Sequence, residues 1–99
     1  MKIRIIYRFL PLRWSWIAGI TIYPFIFFKY SREEVSNRLF RHELEHIYQV
    51  RRRGWFRFYL SYLWESIRRG YKNNKYEIAA NAVENTPLTA DERKLKDQS

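Results

Sequence analysis

Cysteine is absent from this 99-residue chain. Disulfides and thiolate metal ligands are therefore excluded, so any bound metal must be held by histidine or carboxylate groups. Histidine is scarce too: His42 and His46 are the only two. Acidic side chains are outnumbered, 10 against 19 Lys and Arg, for a net charge of +9. Long apolar runs are also missing. The longest, Trp14 to Phe28, is interrupted by Gly19 and Pro24. As a helix it would reach about 22 Å, short of a hydrocarbon core of about 30 Å. A strand pair is expected there instead of a membrane span. No convincing secretory signal precedes it, so a cytoplasmic protein is expected.

What is present centres on Arg41-His42-Glu43-Leu44-Glu45-His46, which reads H-E-x-x-H. A four-residue step on a helix is about 400°, so both imidazoles leave one face, one turn apart. Two rings at that spacing can hold one Zn²⁺ from one side. Glu43 lies about 100° further round, where it can reach a water beside the metal. A base next to a Lewis-acid-activated water is what hydrolysis of an unreactive amide requires. The bland alternative is a solvated helix that carries two histidines by accident. An accidental H-E-x-x-H in so short a chain has a likelihood of roughly a few in a thousand, and the pattern uses both histidines of the protein.

The length fits one domain, and 46% hydrophobic with 19% aromatic residues suffices for one core. The basic excess sits in the first 76 residues, with 16 Lys and Arg against 5 acids; the rest has 3 against 5. Such a body suits an anionic neighbour, either nucleic acid or a membrane surface, although dispersed arginines also serve solubility.

Along the chain, residues 2–9 alternate apolar and basic and read as a half-buried strand. Residues 16–30 are β-branched and aromatic. Pro24 makes them an edge strand or two strands broken there, and Gly19 marks a bulge or a close backbone approach. An edge strand beside a cleft could align an extended peptide. Ser31-Arg32-Glu33-Glu34 has the capping-box pattern, which places a helix over about 32–53, closed by Gly54. Residues 55–69 form a second helix, apolar around most of its circumference. Burial in the core is expected, with contact to a membrane or partner as the alternative. A short third helix is expected over about 76–85, and residues 89–99 read as a polar tail, helical or not, that is weakly attached. The whole is an α+β domain over 1–88 with strands packed on the H-E-x-x-H helix.

A catalytic zinc site usually takes three protein ligands and leaves one position open. The continuation H-x-x-G-x-x-H fails, because Gln49 and Arg52 stand at the glycine and histidine positions. The third ligand must be a carboxylate: Glu65, Glu77 or, more distantly, Glu84.

Glu77-Ile-Ala-Ala-Asn81 after H-E-x-x-H resembles the third-ligand helix of gluzincin peptidases, especially the small ImmA/IrrE-type peptidases. Arg41 to His46 followed by Gln49 is similar to minimal gluzincins of bacteria and phages. The similarity covers roughly residues 16 to 84 and implies a small zincin-like fold with Glu77 as ligand. Asn81, one turn on, would orient Glu77. The implied protein is a zinc-dependent peptidase acting on a peptide or protein, with Glu43 as general base. The chain departs from larger gluzincins in having no third histidine for the oxyanion; Tyr71 or Tyr76 would replace it, though both can also be ordinary packing residues. It has no glycine-rich lid or separate substrate domain, so substrates are short or a partner completes the cleft. The competing class is a basic, aromatic-rich module that binds nucleic acid or a membrane surface. A third possibility is a metal-stabilised scaffold without turnover.

Overall fold

The computed structural model describes residues 2–12 and 15–97. Arg13 and Trp14, at the start of the apolar stretch, and the last two residues of the tail lie outside them. The first strand, β1 (Arg4–Ile6), is shorter than the alternating stretch. Its course continues as single backbone bonds, from the Arg8 N–H to the Tyr30 carbonyl and from the Phe9 N–H to the Phe28 carbonyl. A 3-10 turn (Leu10–Leu12), with Pro11 at its centre, follows. The apolar stretch forms two strands, β2 (Gly19–Ile22) and β3 (Phe25–Phe28), with Tyr23 and Pro24 in the turn between them. The sheet order is β1-β3-β2, with β1 parallel and β2 antiparallel to β3.

Side chains alternate across a strand. Ile26 and Phe28 of β3 are fully buried, whereas Phe25 and Phe27 are half-buried on the other face. The buried face rests on α1 (Asn37–Arg53) through Phe40, Leu44 and Ile47, and Ile5, Val35 and Leu88 complete this core. The start of α1 corrects the capping-box reading. Ser31 does meet Glu34, with its hydroxyl 2.7 Å and its N–H 3.2 Å from the carboxylate, but residues 32–34 make only a turn. The helix is capped by Ser36, which accepts the Leu39 N–H at 3.0 Å. Two side-chain caps compete within six residues, and the second starts the helix whose apolar stripe faces the sheet.

Gly54 and Gly70 end α1 and α2 (Trp55–Arg69) with positive φ, 89° and 79°, as the glycine stops require. The expectation of a buried second helix is overturned. Of α2 only Phe58 and Glu65 are buried, and Phe56, Trp64 and Ile67 are among the most exposed large hydrophobic side chains described. Its inner side packs at a second cluster of Val50, Phe58 and Tyr76. Among the described residues, nothing covers its outer side.

The third helix, α3 (Lys75–Val83), begins at Asn74. That residue, in a polar stretch of the sequence, is fully buried. Its carbonyl oxygen accepts the Tyr76 N–H at 2.8 Å, and its amide donates to the Tyr62 carbonyl at 3.0 Å and Ser66 Oγ at 2.9 Å. One side chain thus caps α3 and fixes it to α2.

The tail is helical, and the weak attachment expected of it is corrected: it forms α4 (Ala90–Asp97), and Glu92 is buried against α1. Arg41 holds both Glu92 oxygens, at 2.8 Å for Nη1, and Tyr48 donates to the same carboxylate. Thr89 and Glu92 close a reciprocal capping box, 2.8 and 3.2 Å. The result is a small α+β domain in which α1 touches β2, α2 and α3. Among the described residues no helix is long and apolar enough to cross a membrane.

Candidate metal centre

His42 and His46 leave α1 on the side that faces α3. Their ring centroids are 5.3 Å apart and nearly perpendicular. Both Nε2 atoms point at Glu77, in the first turn of α3: His42 Nε2 lies 3.0 Å and His46 Nε2 3.3 Å from Glu77 Oε1. One ligand atom from each residue lies within 4.8 Å of the other two. A tetrahedral ion about 2.0 Å from each ligand atom sets those atoms roughly 3.3 Å apart. The group could therefore hold a metal ion, with two imidazole nitrogens and one carboxylate oxygen as the ligand atoms.

The outer nitrogens decide that fit. Gln49 donates its amide to the Tyr76 carbonyl at 3.0 Å, which leaves its Oε1 to accept His46 Nδ1–H at 2.8 Å. His42 Nδ1 meets Glu84 Oε2 at 3.1 Å, and Arg38 holds Glu84 from outside through Nε at 2.8 Å. A proton fixed on each Nδ1 leaves each Nε2 lone pair free to face inward, as metal ligation requires. Tyr62, on α2, donates to Glu77 Oε2 and fixes that carboxylate.

The electrostatics favour a cation. Burial lowers the affinity of His42 for a proton, but the hydrogen bonds to Glu77 and Glu84 and the charge of Glu43 outweigh it and raise its pKa to about 9. His46 is raised for the same reasons, with Glu77 and Gln49 as partners. Burial pushes Glu77 up, yet the two histidines and Tyr62 hold it far below the usual carboxylate range. A metal ion bound here would displace the protons that these histidines hold.

Glu43 lies on the β2 side of the histidines. It is buried, and the Thr21 hydroxyl reaches its Oε1 at 3.0 Å. Burial raises its pKa, against the pull of His46 and His42. Gly19 lets β2 come this close: a Cβ there would stand 3.2 Å from Glu43 Cγ and 3.1 Å from a Phe28 ring carbon. The close backbone approach expected at Gly19 is therefore present.

The triad and Glu43 line one cleft of about 720 Å³, walled by residues 16–22 on one side and by Phe58, Tyr59 and Tyr62 on the other. The β2 strand is one edge of the sheet. Because the Lys29 N–H bonds the Ala18 carbonyl, Ile20 and Ile22 pair with β3, and Gly19 and Thr21 turn their backbone groups to the free edge. Tyr59 reaches part of that edge, accepting the Tyr23 N–H at 2.7 Å and lying 3.4 Å from the Thr21 carbonyl.

The other sequence candidates separate. Glu65 stays outside the triad: it is buried beside the Lys75 N–H, 3.4 Å away, with Arg69 at 3.8 Å. Glu84 supports a histidine from behind. Asn81 is exposed and outside the cleft lining, so it does not orient Glu77; Tyr62 does. Tyr76 is packed among aromatic rings with its hydroxyl unpaired and stands outside the cleft lining, which removes it from oxyanion duty. Tyr71 does line the cleft, edge-on to Trp16. Burial, with the nearby Glu77 and Glu43 carboxylates, pushes its hydroxyl up to about 12.

Sequence reasoning missed Thr21, Arg38, Tyr62 and the roles of Gln49 and Glu84. Two of these had a signal. Gln49 is three residues beyond His46 on the same helix face, and Glu84 is seven beyond Glu77. Comparison with protein-family models, with curated proteins and with solved structures gave no match.

Proposed function

We propose that the protein is a zinc-dependent, metallopeptidase-like hydrolase with a minimal zincin-type architecture. The observation that carries this reading is the convergence of His42 Nε2, His46 Nε2 and Glu77 on one point, with each Nδ1 occupied by an acceptor. When bound there, zinc supplies Lewis acidity, which polarises a carbonyl and makes a water acidic near neutral pH.

The chain's own residues do the rest. Glu43 accepts a proton from the attacking water and delivers it to the leaving amine. Its burial raises its proton affinity, which suits it to carry a proton between the two groups. Thr21 holds the Glu43 carboxylate in place. The free edge at Gly19 and Thr21 offers backbone hydrogen bonds to an extended peptide. Tyr71, at the cleft, is the hydroxyl donor to the developing oxyanion. The apolar walls favour a peptide with a large apolar side chain beside the scissile bond.

The test is a peptide-library cleavage screen with and without chelator, run beside metal analysis. The purified protein is expected to hold one zinc per chain and to cleave in a chelator-sensitive manner. Glu43→Gln is expected to keep the zinc and lose about 10²–10⁴-fold in turnover, whereas His46→Ala loses both. Absence of stoichiometric divalent metal after mild purification would overturn the reading. Zinc retention with no cleavage of any peptide would reduce the site to a structural one.

A further inference from the structure

We propose that the outward face of α2 seats the protein on an anionic phospholipid surface. Phe56, Leu60, Leu63, Trp64 and Ile67 are all exposed, with Ile67 at 71% and Phe56 at 67%. At about 100° per residue they fall within roughly one quarter to one third of the helix circumference. They form one continuous stripe, not scattered surface residues. Arg57 and Arg68, both exposed, follow the stripe along one flank. The only acid of the helix, Glu65, is buried and engaged by the Lys75 N–H and Arg69. A helix with an apolar stripe, a tryptophan and flanking arginines lies in the plane of a membrane interface and does not cross it.

Charge decides among the occupants. Two copies meeting through this stripe would bring together two chains of +9 and face arginines against arginines. A nucleic acid would pair with the arginines and leave five large apolar side chains in water. An anionic bilayer satisfies both, taking the stripe into its interface and the arginines at its headgroups.

The opposite side of α2 carries Phe58, Tyr59 and Tyr62 to the metal cleft. Docking through the stripe therefore leaves the cleft uncovered and holds it about one helix diameter, roughly 10 Å, from the lipid. The inference rests on the outer surface alone and not on the metal reading.

The experiment is co-sedimentation of the full chain with vesicles of phosphatidylcholine plus phosphatidylglycerol and with vesicles of phosphatidylcholine alone. The protein is expected to pellet with the mixed vesicles and to be released by salt. Ile67→Glu is expected to weaken this about tenfold or more, and the pair Arg57→Gln with Arg68→Gln to weaken it and flatten its salt dependence. Circular dichroism should be unchanged, since all three side chains are exposed, and Glu43→Gln should bind like the unaltered protein. Equal binding to neutral vesicles, or binding indifferent to Ile67→Glu, overturns the proposal. So does a concentration-dependent dimer that Ile67→Glu abolishes, or tighter binding to duplex DNA than to mixed vesicles.

Discussion

His42 and His46 are ordinary side chains made into a directed pair by what stands behind them. Gln49 and Glu84 each occupy an outer ring nitrogen, and Tyr62 donates to Glu77 Oε2. Partners of this kind typically contribute about 10–100-fold in metal affinity. Gln49→Ala and Glu84→Gln are each expected to weaken zinc binding within that range, measured by competition with a chromophoric chelator. Gln49→Ala should be the more damaging, because it frees a buried imidazole to rotate, whereas His42 is nearer solvent. If both variants bind zinc like the unaltered protein, the outer contacts do not set the tautomers. Glu43 shows the same dependence on context. Glu43 is fixed by its place on α1, but its burial and its contact with Thr21 come from a strand more than twenty positions earlier.

At the level of elements, the position of Glu77 depends on how α3 begins. Asn74 caps α3 and also donates to Tyr62 and Ser66 of α2, so the helix that supplies the third ligand is fixed to the helix that supplies its tyrosine. Replacing an N-cap asparagine by alanine costs about 0.5–2 kcal/mol, and leaving its buried partners unsatisfied adds about 1–3 kcal/mol. Asn74→Ala is expected to lose roughly 2–4 kcal/mol in denaturant unfolding and to weaken zinc binding without touching a ligand. A loss of stability with zinc affinity intact would mean that α3 is positioned by its other contacts.

The helix starts also show where local patterns decide and where they do not. Ser31 to Glu34 and Thr89 to Glu92 both have the capping-box pattern. The first makes a turn, and the helix begins at Ser36; the second caps a helix in a stretch whose composition suggests a loose tail. The pattern reports a competent turn. Whether a helix follows depends on whether the next residues have an apolar or ionic partner to rest on.

Across the whole molecule, α4 is tied to α1 by the buried contact of Arg41 and Glu92, next to His42. Burial pushes the Glu92 carboxyl up, but Arg41, the Thr89 N–H and Tyr48 outweigh it and hold it at about 2. A carboxyl held lower in the folded state than in the unfolded chain stabilises the protein above its unfolded value, about 4.3. That contribution is lost as pH falls from there toward 2. Glu92→Gln is expected to cost about 3 kcal/mol near neutral pH, because it leaves Arg41 buried without its counter-charge. The difference from the unaltered protein should shrink between about pH 4.3 and pH 2. Urea unfolding of both proteins across that range would show it, and parallel curves would count against the pair.

The sequence by itself determined what depends on neighbours along the chain. Two histidines four residues apart share a helix face because the helix repeats every 3.6 residues, and glycines at 54 and 70 stop helices because only they adopt the required φ at low cost. Alternation in residues 2–9 and the break at Pro24 mark strands for equally local reasons. The tertiary structure alone decided which carboxylate completes the triad, which tyrosine holds it, which tyrosine is merely packed, and that one side of the aromatic helix remains uncovered. Glu65 and Glu77 are both acids on helices beyond the motif. They differ in which way their helix is turned against α1, and that is set by packing among residues distant in sequence.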